Sequence, residues 1–180
     1  KLRFGRSVKS MAMSEVEKRL TAYHEAGHAI MTVVTKKADP LHKVTIIPSG
    51  MALGVTMQLP IEERHIYRQD YIEDSLVVRM GGRCAEDLVF GVISTGANND
   101  LVGSTELARK MVSEWGMSSR VGPMAWGSSG EVFLGEDLIH TPNYSDETAR
   151  VIDDEVERIL REQEDRCKET LSEHRHGLDL

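Results

Sequence analysis

His24-Glu25-Ala26-Gly27-His28 is the stretch from which the rest of the chain can be read. It has the form H-E-x-x-H, and on a helix the four-residue spacing puts both imidazoles on one face, one turn apart. Neutral imidazole is a good zinc ligand, and two such ligands leave Glu25 beside the metal, where a carboxylate can act as a base. The plainer reading is a pair of helix-surface histidines, which suits a lone histidine better than two at i, i+4 with a glutamate between them. Just upstream, Ser14 is suited to cap a helix, with Glu15 and Glu17 favourable in its first turn. The spacing predicts a helix from Glu15 to about Val34 that buries Val16, Leu20, Tyr23, Gly27, Ile30 and Val34. His24 and His28 lie one step round from that stripe, on its border.

The whole chain sets the frame for this motif. Its 180 residues suit one domain with a real core, and 40% apolar and 28% charged residues are ordinary for a soluble globular protein. A net charge of −7, with no long Lys/Arg run, argues against a nucleic-acid surface. Cys84 and Cys167 stand far apart and form no C-x-x-C pattern. They suit a reducing compartment and offer no thiolate zinc site, so a metal here would be held by nitrogen and oxygen. The longest uncharged run, Val44 to Ile61, contains Pro48, Gly50, Gly54 and Pro60 and is no spanning helix. Lys1 to Lys18 lacks the apolar region of a signal peptide. Residues 1–12 are expected to be a linker or arm and residues 13–180 the folded domain, with the basic stretch Lys1 to Lys9 resembling a cut linker.

Beyond Asp39-Pro40, Lys43 to Ile47 has strand character, Pro48-Ser49-Gly50 turn character, and Leu53 to Met57 strand character again. This small hairpin is either a structural flap or an edge on which an extended peptide can pair, with Leu53, Gly54, Val55, Thr56 and Met57 as the pairing strand. Ile61 to about Phe90 is helical in pattern, interrupted by Gly81-Gly82, a pair that marks a kink or close packing. Ser94 to Asn99 is turn chemistry leading into a helix capped by Asn98 or Asn99, with Asp100 in its first turn. The core stripe of that helix is expected to hold Leu101, Ser104 or Thr105, Ala108, Met111 or Val112, and Trp115. Ser119 to Tyr144 is rich in glycine and proline and reads as irregular. Ser145 caps a last helix whose inward stripe is Ala149, Ile152, Val156, Ile159, Gln163 and Cys167.

A catalytic zinc needs a third protein ligand. His28 is not followed by the H-x-x-G-x-x-H extension, and no acidic residue lies between Asp39 and Glu62. The remaining histidines (His42, His65, His140, His174, His176) sit in loops or charged surroundings. The carboxylates left are chiefly Glu86 and Asp100, and the residues alone favour Asp100 only modestly, because an aspartate at a helix start also serves the dipole.

Six stretches carry a resemblance. They are T-A-Y-H-E-A-G-H-A (Thr21 to Ala29), K-V-T-I-I-P-S-G-M-A-L-G-V-T (Lys43 to Thr56), G-G-R-C-A-E (Gly81 to Glu86), S-T-G-A-N-N-D-L (Ser94 to Leu101), M-V-S-E-W-G-M-S (Met111 to Ser118) and Y-S-D-E-T-A-R-V-I-D-D-E-V (Tyr144 to Val156). Spanning nearly the whole chain, they resemble the protease domains of the FtsH family, membrane-anchored ATP-dependent zinc metallopeptidases (peptidase family M41). Ser94 stands where that family usually has Thr, and Asn98 where Ser is common; neither is a ligand position.

The resemblance implies a mainly α domain with a small antiparallel sheet near the active site, and a zinc ion held by His24, His28 and Asp100 with Glu25 as the catalytic residue. Glu86 is then expected behind a ligand histidine, on its other ring nitrogen. The resemblance further implies unfolded membrane and soluble proteins as substrates, a homo-hexamer in the full-length protein, and a place on the cytoplasmic face of a bacterial inner membrane, or on an organellar membrane if the source is eukaryotic. No G-x-x-x-x-G-K-[ST] loop is present, so the linked ATPase and the membrane segment are expected outside these residues. The competing reading is a non-catalytic, zinc-stabilised oligomerisation module. Glu25 discriminates, because a structural site fills its fourth position with protein and needs no base.

Overall fold

A computed structural model describes residues 13–47, 53–126 and 144–179. The expected arm at 1–12, the turn at Pro48-Ser49-Gly50 and most of the expected irregular stretch (127–143) lie outside the described residues.

The first helix, α1, spans Glu15–Val34, as the capping pattern predicts. Ser14 and Glu17 form a reciprocal capping box: the Glu17 N–H donates to the Ser14 hydroxyl, and the Ser14 N–H donates to the Glu17 carboxylate. The buried face matches the expected stripe only in part: Gly27 is buried and Tyr23, Ile30 and Val34 pack against the core, but the stripe is not centred where apolar periodicity put it. Val16 is 78% exposed, and the buried residues are Thr21, His24, Glu25, Gly27, His28, Met31 and Thr32. Close backbone packing decides this. A Cβ at Gly27 would collide with the Gly81 carbonyl oxygen, and one at Gly81 would lie 2.7 Å from the Gly27 oxygen. The helix therefore turns its glycine face, with both histidines, against the next helix.

Strands β1 (Leu41–Thr45) and β2 (Val55–Gln58) pair antiparallel with Thr45 opposite Val55, Val44 opposite Thr56 and Lys43 opposite Met57. A register shift falls between Leu41 and Lys43. The sheet thus starts earlier in β1 than the expected Lys43, and Leu53 and Gly54 precede β2 instead of opening it.

Helix α2 (Gln69–Phe90) begins eight residues after the expected Ile61. Among the described residues nothing covers 61–68, with Ile61 77% and Ile66 85% exposed. Arg64 instead fastens the segment, pairing with Asp39 at 3.1 Å and lying over the Tyr71 ring. Gly81-Gly82 does not interrupt α2; the pair serves close packing. The helix stops at Gly91, whose φ of 67° is open to glycine at little cost.

A 3-10 turn at Thr95–Ala97 runs directly into α3 (Asn98–Ser113). The capping side chain is Ser94, which accepts from the Gly96 N–H, whereas Asn98 and Asn99 lie inside the helix. Asp100 is in the first turn, as expected. Ser104, Ala108, Met111 and Val112 are buried, while the expected Leu101 and Trp115 are exposed. Helix α4 (Asp146–Glu173) is capped by Ser145 and buries Ile152, Val156, Ile159, Gln163 and Cys167 from the expected stripe; Ala149 is only half-buried. A short α5 (Arg175–Leu178) follows, which the sequence pattern does not reveal.

The result is mainly α with one small antiparallel sheet, the expected class. Two apolar clusters meet on α2. One joins Met31 of α1 to Val77, Met80 and Cys84 of α2 and to Cys167 and Leu171 of α4. The other joins Ile72 and Leu76 of α2 to Ala108, Met111 and Val112 of α3 and to Ile152, Val156 and Ile159 of α4. Having neighbours on several sides explains why α2 shows no single apolar stripe. Cys84 and Cys167 are free thiols in the first cluster. Among the described residues no helix is long and apolar enough to cross a membrane.

Candidate metal centre and active site

The two histidines of α1 meet a carboxylate from the first turn of α3. His24 Nε2 and His28 Nε2 are 3.0 Å apart, and each lies 3.4 Å from Asp100 Oδ2. These are the one group of three potential metal-ligating side chains among the described residues whose donor atoms all lie within 4.8 Å of one another.

The opposite ring nitrogens define what these three atoms carry. His28 Nδ1 is 2.8 Å from the Val78 carbonyl, which can only accept, so Nδ1 holds the proton and Nε2 presents a lone pair. His24 Nδ1 is 2.6 Å from Glu86 Oε1, again an acceptor, with the same consequence. Glu86 is 1% exposed and is itself fixed, because its Oε2 accepts from the Ser94 N–H at 2.7 Å. With neutral rings, two lone pairs and an anionic oxygen converge with no proton between them. Such a constellation calls for a cation, and neutral imidazole nitrogen with carboxylate oxygen is a donor set that suits zinc.

The closeness of these groups also shows in the titration of His24 and Asp100. Burial would lower the His24 pKa, but hydrogen bonds to Asp100 and Glu86 outweigh it and raise the pKa above its ordinary value. Burial would raise the Asp100 pKa, but the hydrogen bonds from His24 and His28 hold that carboxyl well below the usual carboxylate range. His24 and Asp100 are thus each shifted toward the charged form, and a cation bound between them would take the place of the shared proton.

Glycine makes the room. A Cβ at Gly82 would collide with the His24 ring. Glu25, also buried, turns toward the sheet, where the Thr56 hydroxyl donates to its Oε2 at 2.6 Å. Of the five expected strand residues, Gly54 and Thr56 touch Glu25, and Val55 and Met57 fall on the opposite face by the period of two. His174 lies away in the α4 terminus, bonded to the Thr170 carbonyl. Nothing in the sequence marks the Thr56–Glu25 bond, the Val78 carbonyl or the Ser94 N–H. Two of the three involve backbone atoms, which leave no compositional trace.

A helix-borne H-E-x-x-H with both histidines oriented from behind, and its glutamate beside a small sheet, defines the H-E-x-x-H metallopeptidase class. Within that class the chain belongs to peptidase family M41, whose profile matches residues 11–180. The chain is 62% identical over 97% of its length to an ATP-dependent zinc metalloprotease FtsH of Acidimicrobium ferrooxidans, covering 26% of that protein. It is 53% identical over 90% of its length to the FtsH of Acidobacterium capsulatum, covering 25% of it. A Salinibacter ruber protein named ATP-dependent zinc metalloprotease FtsH 2 is 47% identical over 99% of the chain, which covers 26% of that relative. The chain therefore spans about a quarter of the length of the curated relatives it matches.

Proposed function

We propose that this chain is the peptidase unit of a larger ATP-dependent protease, hydrolysing peptide bonds with a zinc ion held by His24, His28 and Asp100. The observation that carries this reading is the convergence of the three donor atoms within 4.8 Å, with both histidines fixed through their other ring nitrogens. Zinc, when bound, supplies Lewis acidity, polarising a carbonyl and making water acidic near neutral pH. Glu25 accepts the proton of the attacking water and delivers it to the leaving amine. Glu86 and the Val78 carbonyl hold the two imidazoles in the tautomer that leaves Nε2 free to ligate.

Substrate lies along β2, whose outer edge has no partner strand among the described residues. Main-chain pairing there requires an extended, unfolded segment and is indifferent to most side chains. That need is consistent with a linked ATPase that unfolds and feeds membrane and soluble proteins, and with the name ATP-dependent carried by the relatives. In this reading residues 13–180 form the peptidase domain behind an arm at 1–12. The parent protein is a hexamer on the cytoplasmic face of a bacterial membrane.

The test is Glu25→Gln. Zinc content stays at the wild-type level while cleavage of an unstructured peptide falls by at least about a hundredfold, the low end of general acid–base contributions. Wild-type turnover in that variant would refute the assignment.

A further inference from the structure

The bond between β2 and Glu25 has no part in the chemistry described so far. We propose that Thr56 is a positioning residue that holds the Glu25 carboxylate in one rotamer and ties it to the strand on which substrate lies. The inference rests on the peptidase reading for its functional consequence, but its geometry stands on its own.

The Thr56 hydroxyl has one proton and faces two oxygens of Glu25: Oε2 at 2.6 Å and the backbone carbonyl at 3.1 Å. The shorter distance is that of a charge-assisted O–H to carboxylate bond, so the side chain is the main acceptor. Threonine suits the task because its branched Cβ restricts χ1. Its backbone is in turn fixed by the pairing of Thr56 with Val44.

Gly54 supports the same contact from two residues earlier. Positions 54 and 56 share one face of the extended chain. A Cβ at Gly54 would lie 2.7 Å from both Cγ and Oε1 of Glu25, and 2.8 Å from Thr21 Cγ2. Two successive inward positions of this segment are therefore shaped around a single carboxylate: one donates to it, the other makes space for it. Oε2 is anchored, while Oε1 has no hydrogen-bond donor among the described residues and is left for water. An anchor needed only to join hairpin to helix would be served by the backbone carbonyl alone. Engagement of the carboxylate couples the general base to the substrate strand, so a peptide added to β2 meets Glu25 in a fixed register.

The test compares Thr56→Val, which keeps the branched shape and removes only the hydroxyl, with Thr56→Ser, which restores it. Both are loaded with zinc and assayed on a short quenched-fluorescence peptide of unstructured sequence. Both are expected to hold wild-type zinc. T56V should lose about tenfold or more in kcat with KM changed less than about twofold, and T56S should stay within about threefold of wild-type kcat. Crystal structures should show one Glu25 rotamer in wild type and T56S and several in T56V. Unchanged kcat in T56V, a T56S as poor as T56V, or a loss confined to KM would overturn the proposal. Should T56V fail to fold, Gly54→Ala displaces the same carboxylate, and wild-type turnover there overturns it equally. A zinc-loaded wild type that cleaves nothing would instead refute the peptidase reading, and the rotamer comparison would still decide the positioning role.

Discussion

Replacing Glu86 by glutamine changes one atom in the buried frame behind His24. Both partners of the Glu86 carboxylate are donors: His24 Nδ1 at 2.6 Å from Oε1, and the Ser94 N–H at 2.7 Å from Oε2. Glutamine offers one oxygen and one NH2, so it can accept from only one of them. The other faces a donor at 1% exposure, where water does not substitute. A buried donor left unpaired costs about 1–3 kcal/mol. If Ser94 keeps the oxygen, the His24 ring loses its tautomer lock, and loss of such an outer partner weakens metal binding by about 10–100-fold. That is about 1.4–2.8 kcal/mol of affinity at about 1.4 kcal/mol per decade. The assay is zinc affinity by competition with a chromophoric chelator, run beside a thermal melt and peptide turnover. A Glu86→Gln variant with zinc affinity within about twofold of wild type and undiminished turnover would refute the reasoning.

Other outcomes follow from the packing. Gly27→Ala pushes a methyl group into the Gly81 backbone, which cannot swing aside, so chemical denaturation should show a loss of about 3 kcal/mol or more. Glu155 is buried beside Arg158 and bonded by the Ser118 hydroxyl, and the Arg158 guanidinium foremost holds its carboxyl below the ordinary value of 4.5. A depressed folded-state pKa contributes stability that is present above the unfolded value and lost as pH falls through the folded one. The stability difference between wild type and Glu155→Gln should therefore be present at neutral pH and shrink below about pH 4.5 in a urea-melt series.

Much of this molecule is legible in its sequence, and the parts that are not share a cause. Local chemistry reads directly. Ser14 with Glu17, and Ser145 with the acidic turn behind it, fix the starts of α1 and α4 through side chain–backbone bonds only three residues long. The face of α1 reads only in part: Gly27, Tyr23, Ile30 and Val34 are in the expected stripe, but its centre is set by the approach of Gly27 to Gly81, more than fifty residues apart in sequence. Apolar periodicity pointed at Val16, while close backbone contact turned His24, Glu25 and His28 inward. The start of α2 differs for a related reason: residues 61–68 carry a helical pattern, but among the described residues their side chains are exposed, not packed on a core. The meeting of Asp100 with the two histidines was reachable from the residues only as one of two alternatives, and family resemblance favoured it. Thr56 is legible as part of the expected pairing strand, but its bond to Glu25 is not, since a threonine in a strand is ordinary until its partner is known.

The measurement that bears most directly on the account is zinc per chain, by elemental analysis, for wild type and Asp100→Ala prepared together. One zinc is expected in the wild type and near-complete loss in the variant, because a catalytic zinc takes three protein ligands and Asp100→Ala leaves two. Full retention by Asp100→Ala would contradict it and move the third ligand elsewhere, and a wild type that takes up no zinc would remove the metal centre altogether.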